Sequence, residues 1–292
     1  MCHNEFYWLP RIMTTDPAND QQLQSFVEFA CELADVAATI TLPRFRQPLP
    51  VENKSGDVGF DPVTIADRAA EQAMRQLITQ RYPSHGILGE EYGLSNEGSK
   101  LTWVLDPIDG TRAFIAGLPT WGTLIALYDG SKPLLGVMDQ PFTVERYFAS
   151  GNSSGTTTCI HRGKESQLQT RDCRQLALAT MMSTTPDMFS IGEFEVQQDL
   201  AAEVRLMRYG GDCYAYCMLA GGHVDLVVEA GLSTYDIQAL IPIVENAGGI
   251  VTDWQGGSAA SGGQVVASAT QELHHQALAR LQPAAKKSAS TL

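Results

Sequence analysis

Trp103-Val-Leu-Asp106-Pro-Ile-Asp109-Gly-Thr111-Arg112 is the stretch on which the fold and chemistry of this chain turn. An apolar run of strand character leads into Asp106. Pro107 has no N–H and turns the chain, Asp109 follows three residues after Asp106, and Gly110-Thr111 can open a helix. Two carboxylates are thereby held within one turn. A backbone carbonyl between them is free to face outward, and the amides of Gly110 and Thr111 face the same space. Carboxylates with a carbonyl suit a hard cation such as Mg2+, and free amides at a helix start suit an anion such as phosphate. The competing reading of these residues alone is an Asp-rich turn in which Asp109 caps a helix.

Upstream, apolar residues recur at Leu23, Phe26, Val27, Ala30, Leu33, Ala34, Ala37 and Ile40, a helical spacing stopped by Pro43. A second helix is expected from Thr64 to Arg81. Around the decisive stretch, Gly86–Gly89, Thr102–Leu105, Trp121–Tyr128, Pro133–Met138 and Val144–Ala149 read as strands linked by tight turns, a mainly antiparallel sheet behind two helices. Downstream, strands and helices alternate. Strands are expected at Leu176–Ala179, Val224–Glu229 and Ile250–Asp253. Helices are expected at Asp187–Leu200, Tyr214–Ala220, Tyr235–Ala247 and Thr270–Leu281, so the second sheet should be partly parallel. The chain is read as two α/β halves, residues 15–152 and 153–283, with a boundary in the loop Gly151-Asn-Ser-Ser-Gly155 and tails at 1–14 and 284–292.

Composition excludes several classes. In 292 residues the hydrophobic share is 44% and the charged share 18%, which allows a large core and rules out a disordered chain. No apolar run approaches the ~20 residues that cross a bilayer, so no membrane partner is expected. Lys+Arg number 20 against 33 Asp+Glu, a net charge of −13 that repels phosphate backbones and disfavours a nucleic-acid partner. An acidic chain that handles phosphate needs bound cations. Cys2, Cys31, Cys159, Cys173, Cys213 and Cys217 form no CxxC pair. With no basic segment followed by an apolar run at the start, reduced thiols in a cytoplasm are expected.

Further acids matter only if they converge on the Asp106 turn. Gly89-Glu90-Glu91 follows a short strand and reads equally as a solvated strand end. Asp236 opens a helix, where capping alone accounts for it. Asp109 and Asp236 lie 127 positions apart, and nothing in the periodicity brings them together. The combination of Gly89-Glu90-Glu91, Trp103 to Thr111 and Tyr235-Asp236, with Asp61-Pro-Val-Thr64-Ile-Ala-Asp67 upstream, resembles the inositol monophosphatase superfamily from about Leu23 to Leu281. The resemblance implies a layered αβαβα sandwich of mixed α/β (α+β) class, a Mg2+-dependent phosphatase, and a homodimer. It implies that Glu90, Asp106, the Ile108 carbonyl, Asp109 and Asp236 bind metal, and that Asp109, Gly110 and Thr111 hold phosphate. In the same way Glu90, Thr111 and Asp67 are implied as catalytic, the last two orienting a water, and Lys54 lies in a mobile loop. The segment between Lys54 and Asp61 is longer than the family pattern leads one to expect.

The chemistry agrees with the acid count. At an effective dielectric of ~20, each pair of carboxylates ~4 Å apart costs about 4 kcal/mol, which two or three Mg2+ would offset together with the phosphate dianion. In-line attack by a metal-bound water is the expected route. For the substrate, Gly210-Gly211-Asp212-Cys-Tyr214-Ala-Tyr216, Asp225-Leu-Val-Val-Glu229 and Tyr235-Asp236 look like the histidinol-phosphate phosphatase branch. Relatives acting on inositol phosphates usually carry a small residue in place of Asp212 and a Trp in place of Tyr235. Asp212 and Glu229 can pair with the ammonium and imidazole of histidinol phosphate, and Arg112 and Tyr214 join them as pocket candidates. Asp212 reads alternatively as a helix cap and Glu229 as a strand-end acid. Inositol monophosphatase or a related sugar or nucleotide phosphatase is the alternative function. A non-catalytic regulatory protein is the alternative of another class, disfavoured by the complete acid set.

Overall fold

The structure is a computed structural model and describes residues 17–48, 51–53, 62–150 and 155–286. Helix α1 (Pro17–Thr41) buries Phe26, Val27, Ala30, Leu33, Ala34 and Ala37 along one stripe and ends where Pro43 allows only a short 3-10 turn, Leu42–Arg44. A two-stranded ribbon, β1 (Val51–Asn53) with β2 (Pro62–Thr64), leads into α2 (Ile65–Arg81), which starts at a reciprocal Thr64–Asp67 capping box.

Eight strands follow: β3 (Gly86–Gly89), β4 (Gly93–Ser95), β5 (Thr102–Asp109), β6 (Gly122–Tyr128), β7 (Pro133–Gln140), β8 (Glu145–Ser150), β9 (Thr157–His161) and β10 (Lys164–Leu168). They form one sheet in the order β10-β9-β8-β7-β6-β5-β3-β4, antiparallel except for the parallel pair β3 and β5. Helix α3 (Thr111–Ala116) leaves the end of β5. The remaining helices are α4 (Ile191–Glu203), α5 (Asp212–Ala220), α6 (Thr234–Ile237), α7 (Leu240–Asn246) and α8 (Gln271–Leu281). A second sheet is built from β11 (Thr180–Ser183), β12 (Leu206–Tyr209), β13 (Leu226–Leu232), β14 (Ile250–Asp253) and β15 (Gly263–Ser268), in the order β12-β11-β13-β15-β14. Its first three strands are parallel and the rest antiparallel.

The five layers follow from which faces are apolar. Trp103 and Leu105 of β5, with Ile125 and Leu127 of β6, pack against α1 and α2. Val104, Leu124 and Ala126, on the opposite face of the same strands, pack against α5 and α7. A central sheet buried on both faces needs apolar residues at odd and even positions alike, and β5 and β6 have them. Val227, Val265 and Ala267 of the second sheet close the other side of the α5–α7 layer. Leu226, Val228 and Val266 face outward to α8 through Leu273, Ala277 and Leu281. The expected αβαβα sandwich is therefore present.

Several expected elements shift. Leu176–Leu178 is a 3-10 turn, and the strand starts at Thr180, where pairing to Leu206 begins. Pro186–Met188 forms a separate turn, and α4 starts at Ile191 behind a Ser190–Glu193 capping box. The helix expected over 235–247 is two, α6 and α7. The expected boundary at 152/153 lies outside the described residues, and the first sheet runs on past it to Leu168. The tail expected over 284–292 is docked as far as Lys286. The Lys286 N–H donates to Gln264 Oε1 at 2.7 Å, and its ammonium lies 2.8 Å from Glu193.

Candidate active site

The end of β5 is shaped by hydrogen bonds that close the turn on itself. The Ile108 N–H donates to Asp106 Oδ1 at 3.0 Å, the Thr123 hydroxyl to the Pro107 carbonyl at 2.8 Å, and the Thr111 hydroxyl to the Ile108 carbonyl at 3.1 Å. Gly110 has φ 80°, a left-handed conformation that lets the chain reverse into α3. The pairing of β5 with β6 is interrupted between Asp106 and Asp109, so the backbone bulges where the two carboxylates stand.

Asp236 arrives from the far half of the chain. One oxygen each of Asp106, Asp109 and Asp236 lies within 4.8 Å of the others. Asp236 is also the third residue of α6, where its Oδ2 accepts the Ser233 N–H at 2.6 Å in a capping box. Capping and convergence are thus both true of it. Asp67 has the same double placement: its Oδ2 accepts the Thr64 N–H at 2.9 Å and the Thr64 hydroxyl at 2.5 Å. Burial, then the charges of Glu90, Asp109, Asp236 and Asp67, push Asp106 well above the carboxylate range. Burial, Asp212 and Asp236 raise Asp109, against hydrogen bonds from Cys213, whose N–H donates to Asp109 Oδ2 at 2.7 Å. Burial chiefly raises Asp236 to about 7. Buried carboxylates in such mutual contact ionise together only beside a cation. An all-oxygen set of three acids fits a hard cation such as Mg2+.

A small cleft continues from Asp109 and Asp236 to Asp212 and Glu229. The Asp212 side chain lies on Gly110, where a Cβ would come 2.8 Å from its Cγ. That glycine is therefore needed for space as well as for its turn. Asp212 opens α5 but caps nothing; Gly211 is the N-cap, and Asp212 Oδ2 accepts the Thr120 hydroxyl at 3.2 Å. Burial raises Asp212 to about 6, against Thr120 and the nearby Arg112 guanidinium. Burial raises Glu229 to about 7 although Thr184 and Tyr216 hydrogen-bond to it. Its Oε1 accepts the Thr184 N–H at 3.1 Å and hydroxyl at 2.5 Å, and its Oε2 the Tyr216 hydroxyl at 2.8 Å.

One pocket candidate, Tyr214, does not line this cleft. Tyr214 points away from the cleft and gives its hydroxyl to Glu145 of β8, while Tyr216 lines the cleft. The reason is helical: Tyr216 stands four residues after Asp212, on the same face of α5, and Tyr214 does not. Thr184 and Met188 also line the cleft. Thr184 follows directly on β11, and Met188 ends the turn Pro186–Met188. Lys54 lies outside the described residues.

The profile of the inositol monophosphatase family matches residues 22–287. The chloroplastic bifunctional phosphatase IMPL2 of Arabidopsis thaliana is 40% identical over 94% of this chain and 80% of its own. The histidinol-phosphatase of Mycobacterium tuberculosis is 34% identical over 86% of this chain and 96% of its own. Among solved structures, an inositol monophosphatase from Zymomonas mobilis superposes with a TM-score of 0.78 at 40% identity, covering 92% of this chain and all of that one (100%).

Proposed function

The chain belongs to the inositol monophosphatase family of phosphatases, and from that premise we propose that it hydrolyses histidinol phosphate to histidinol and phosphate with Mg2+. Phosphatases of this family depend in general on Mg2+. Glu90, Asp106, the Ile108 carbonyl, Asp109 and Asp236 hold the metal in this reading. When bound, Mg2+ offsets the charge of acids and phosphate and makes water a better nucleophile. The chain's own residues do the rest. The Gly110 and Thr111 amides receive phosphate oxygens. Asp67 and Thr111 orient the attacking water, and the turn of β5 keeps these groups fixed while charge moves in line through phosphorus.

The observation that carries the choice of ester is Asp212 lying on Gly110 with Glu229 in the same cleft. Two further acids beside a phosphate turn make sense when the leaving group is cationic, because an ammonium or imidazolium offsets their burial. Glu229 has about four lone-pair directions, three of them engaged by Thr184 and Tyr216, which leaves it aimed at one donor such as an imidazole N–H. Support also comes from histidinol-phosphatases among the relatives. The second reading, inositol phosphate, is favoured by the 40% identical structure from Zymomonas mobilis. Phosphate release from histidinol phosphate and inositol 1-phosphate, each with Mg2+, separates the two. The proposal expects kcat/KM at least tenfold higher for histidinol phosphate; preference for inositol 1-phosphate defeats it and leaves the phosphatase in place.

A further inference from the structure

Glu71 is fully buried in α2 and has no part in the chemistry above, yet its carboxylate is surrounded by donors. Arg75 Nε donates to its Oε1 at 2.7 Å, the Glu91 N–H to its Oε2 at 2.7 Å, and the Tyr92 N–H to its Oε1 at 3.2 Å. Arg75 then reaches across the hairpin of β3 and β4 to the Ser95 hydroxyl at 3.1 Å and to the Gly93 carbonyl. On its other side the turn is held by the Glu90 N–H, which donates to the Leu105 carbonyl at 3.2 Å.

The turn that carries Glu90 therefore hangs between two anchors. One is β5, at the residue before Asp106. The other is α2, where Glu71 stands four residues after Asp67 and so on the same helical face. Gly89 shows how closely the anchor fits: a Cβ there would lie 2.0 Å from Glu71 Oε1 and 2.7 Å from its Oε2. Gly89 is not in the left-handed region, so the glycine of Gly89-Glu90-Glu91 is there to admit the Glu71 carboxylate. The ion pair with Arg75 and the two amide bonds keep that carboxylate from stepping aside.

We propose that Glu71 is a positioning residue for the metal centre: bonded to the Glu91 and Tyr92 amides with Gly89 as its seat, it sets where Glu90 stands relative to Asp106 and Asp67. The proposal rests on the reading of Glu90 and Asp106 as metal ligands. Residues that orient ligands from behind typically cost about 10- to 100-fold in metal affinity when altered. A clamp that merely stabilised the hairpin would lower the melting temperature and leave metal affinity alone.

The test is calorimetric titration of Mg2+ into the metal-free full chain for wild type, Glu71→Gln and Gly89→Ala, with circular dichroism to check folding and kcat at saturating Mg2+. Both variants are expected to weaken Mg2+ binding about 10- to 100-fold, with kcat largely restored by excess Mg2+. A folded Glu71→Gln chain that binds Mg2+ within twofold of wild type overturns the proposal. If Glu71→Gln does not fold, the same result for Gly89→Ala overturns it. Absence of Mg2+ uptake by the wild type defeats the metal-centre reading itself, an outcome distinct from equal binding by all three chains.

Discussion

Asp109 shows how one carboxylate serves both the fold and the chemistry. Its Oδ2 receives the Cys213 N–H at the start of α5, tying the two halves of the site, while it also stands in the cluster with Asp106 and Asp236. Asp109→Asn keeps an acceptor for Cys213 and removes one charge from the cluster. It is expected to abolish activity, at least a 1000-fold loss on the scale of ~4 kcal/mol for removing a charge from such a site. The metal-free chain should nevertheless melt higher, by about 2–4 °C per kcal/mol of relieved repulsion, as scanning calorimetry with chelator would read. Asp212→Asn tests the cleft instead. A lost bond to a charged group is worth about 1.5–3 kcal/mol, so kcat/KM for histidinol phosphate should fall roughly 10- to 150-fold. Hydrolysis of an aryl phosphate, whose leaving group carries no cation, should change little; equal losses on both esters would remove Asp212 from substrate recognition.

At the scale of elements, α5 separates two tyrosines that the sequence places almost side by side. Tyr216→Phe frees Glu229 from one bond and should lower kcat/KM for histidinol phosphate about tenfold. Tyr214→Phe, on the β8 side of the helix, should stay within about twofold. Steady-state kinetics of the pair checks this, and a larger loss for Tyr214→Phe would contradict the placement. The elements legible in advance are those whose pattern the core enforces. The stripe of α1, and the apolar runs of β5 and β6, cannot be exposed, so spacing alone reveals them. Two edge strands were hidden. β10 is Lys164-Glu-Ser-Gln-Leu168, almost wholly polar and exposed, and β12 lies on an open edge with Leu206 exposed. Their pairing supplies what their composition does not signal. The turn chemistry of Asp106 to Thr111 was legible for a local reason, Pro107 and Gly110. That Asp236 joins it came from resemblance, since a separation of 127 positions from Asp109 carries no local signal. Glu71 and Tyr216 escaped because the side of a helix that faces the site depends on how the helix is docked.

At the scale of the whole molecule, the buried acids make stability depend on pH in a definite sense. Asp236 and Glu229 are raised to about 7 and Asp212 to about 6, so the metal-free native chain binds more protons there than the unfolded chain. Their contribution is full at low pH and is lost as pH rises through about 4 toward 7. His274 acts oppositely: buried with Ser268 and Thr252 at its two ring nitrogens, it is lowered from 6.5 to about 4 and costs stability as pH falls below 6.5. The metal-free melting temperature should therefore peak on the acid side of neutrality and decline toward pH 8, and saturating Mg2+ should flatten the decline. A melting temperature that rises from pH 6 to 8 in chelator would contradict this.

The same protons make Mg2+ binding itself the most direct measurement. Titration calorimetry of Mg2+ into the metal-free chain near pH 6.5, repeated in buffers of different ionisation enthalpy, counts the protons released as the metal binds. Net proton release is expected near pH 6.5 and should lessen as pH rises through about 7, where Asp236 and Glu229 lose their protons ahead of the metal. Uptake of Mg2+ without proton release near pH 6.5, or no uptake at all, would contradict the claim that acids from both halves of the chain share one metal centre.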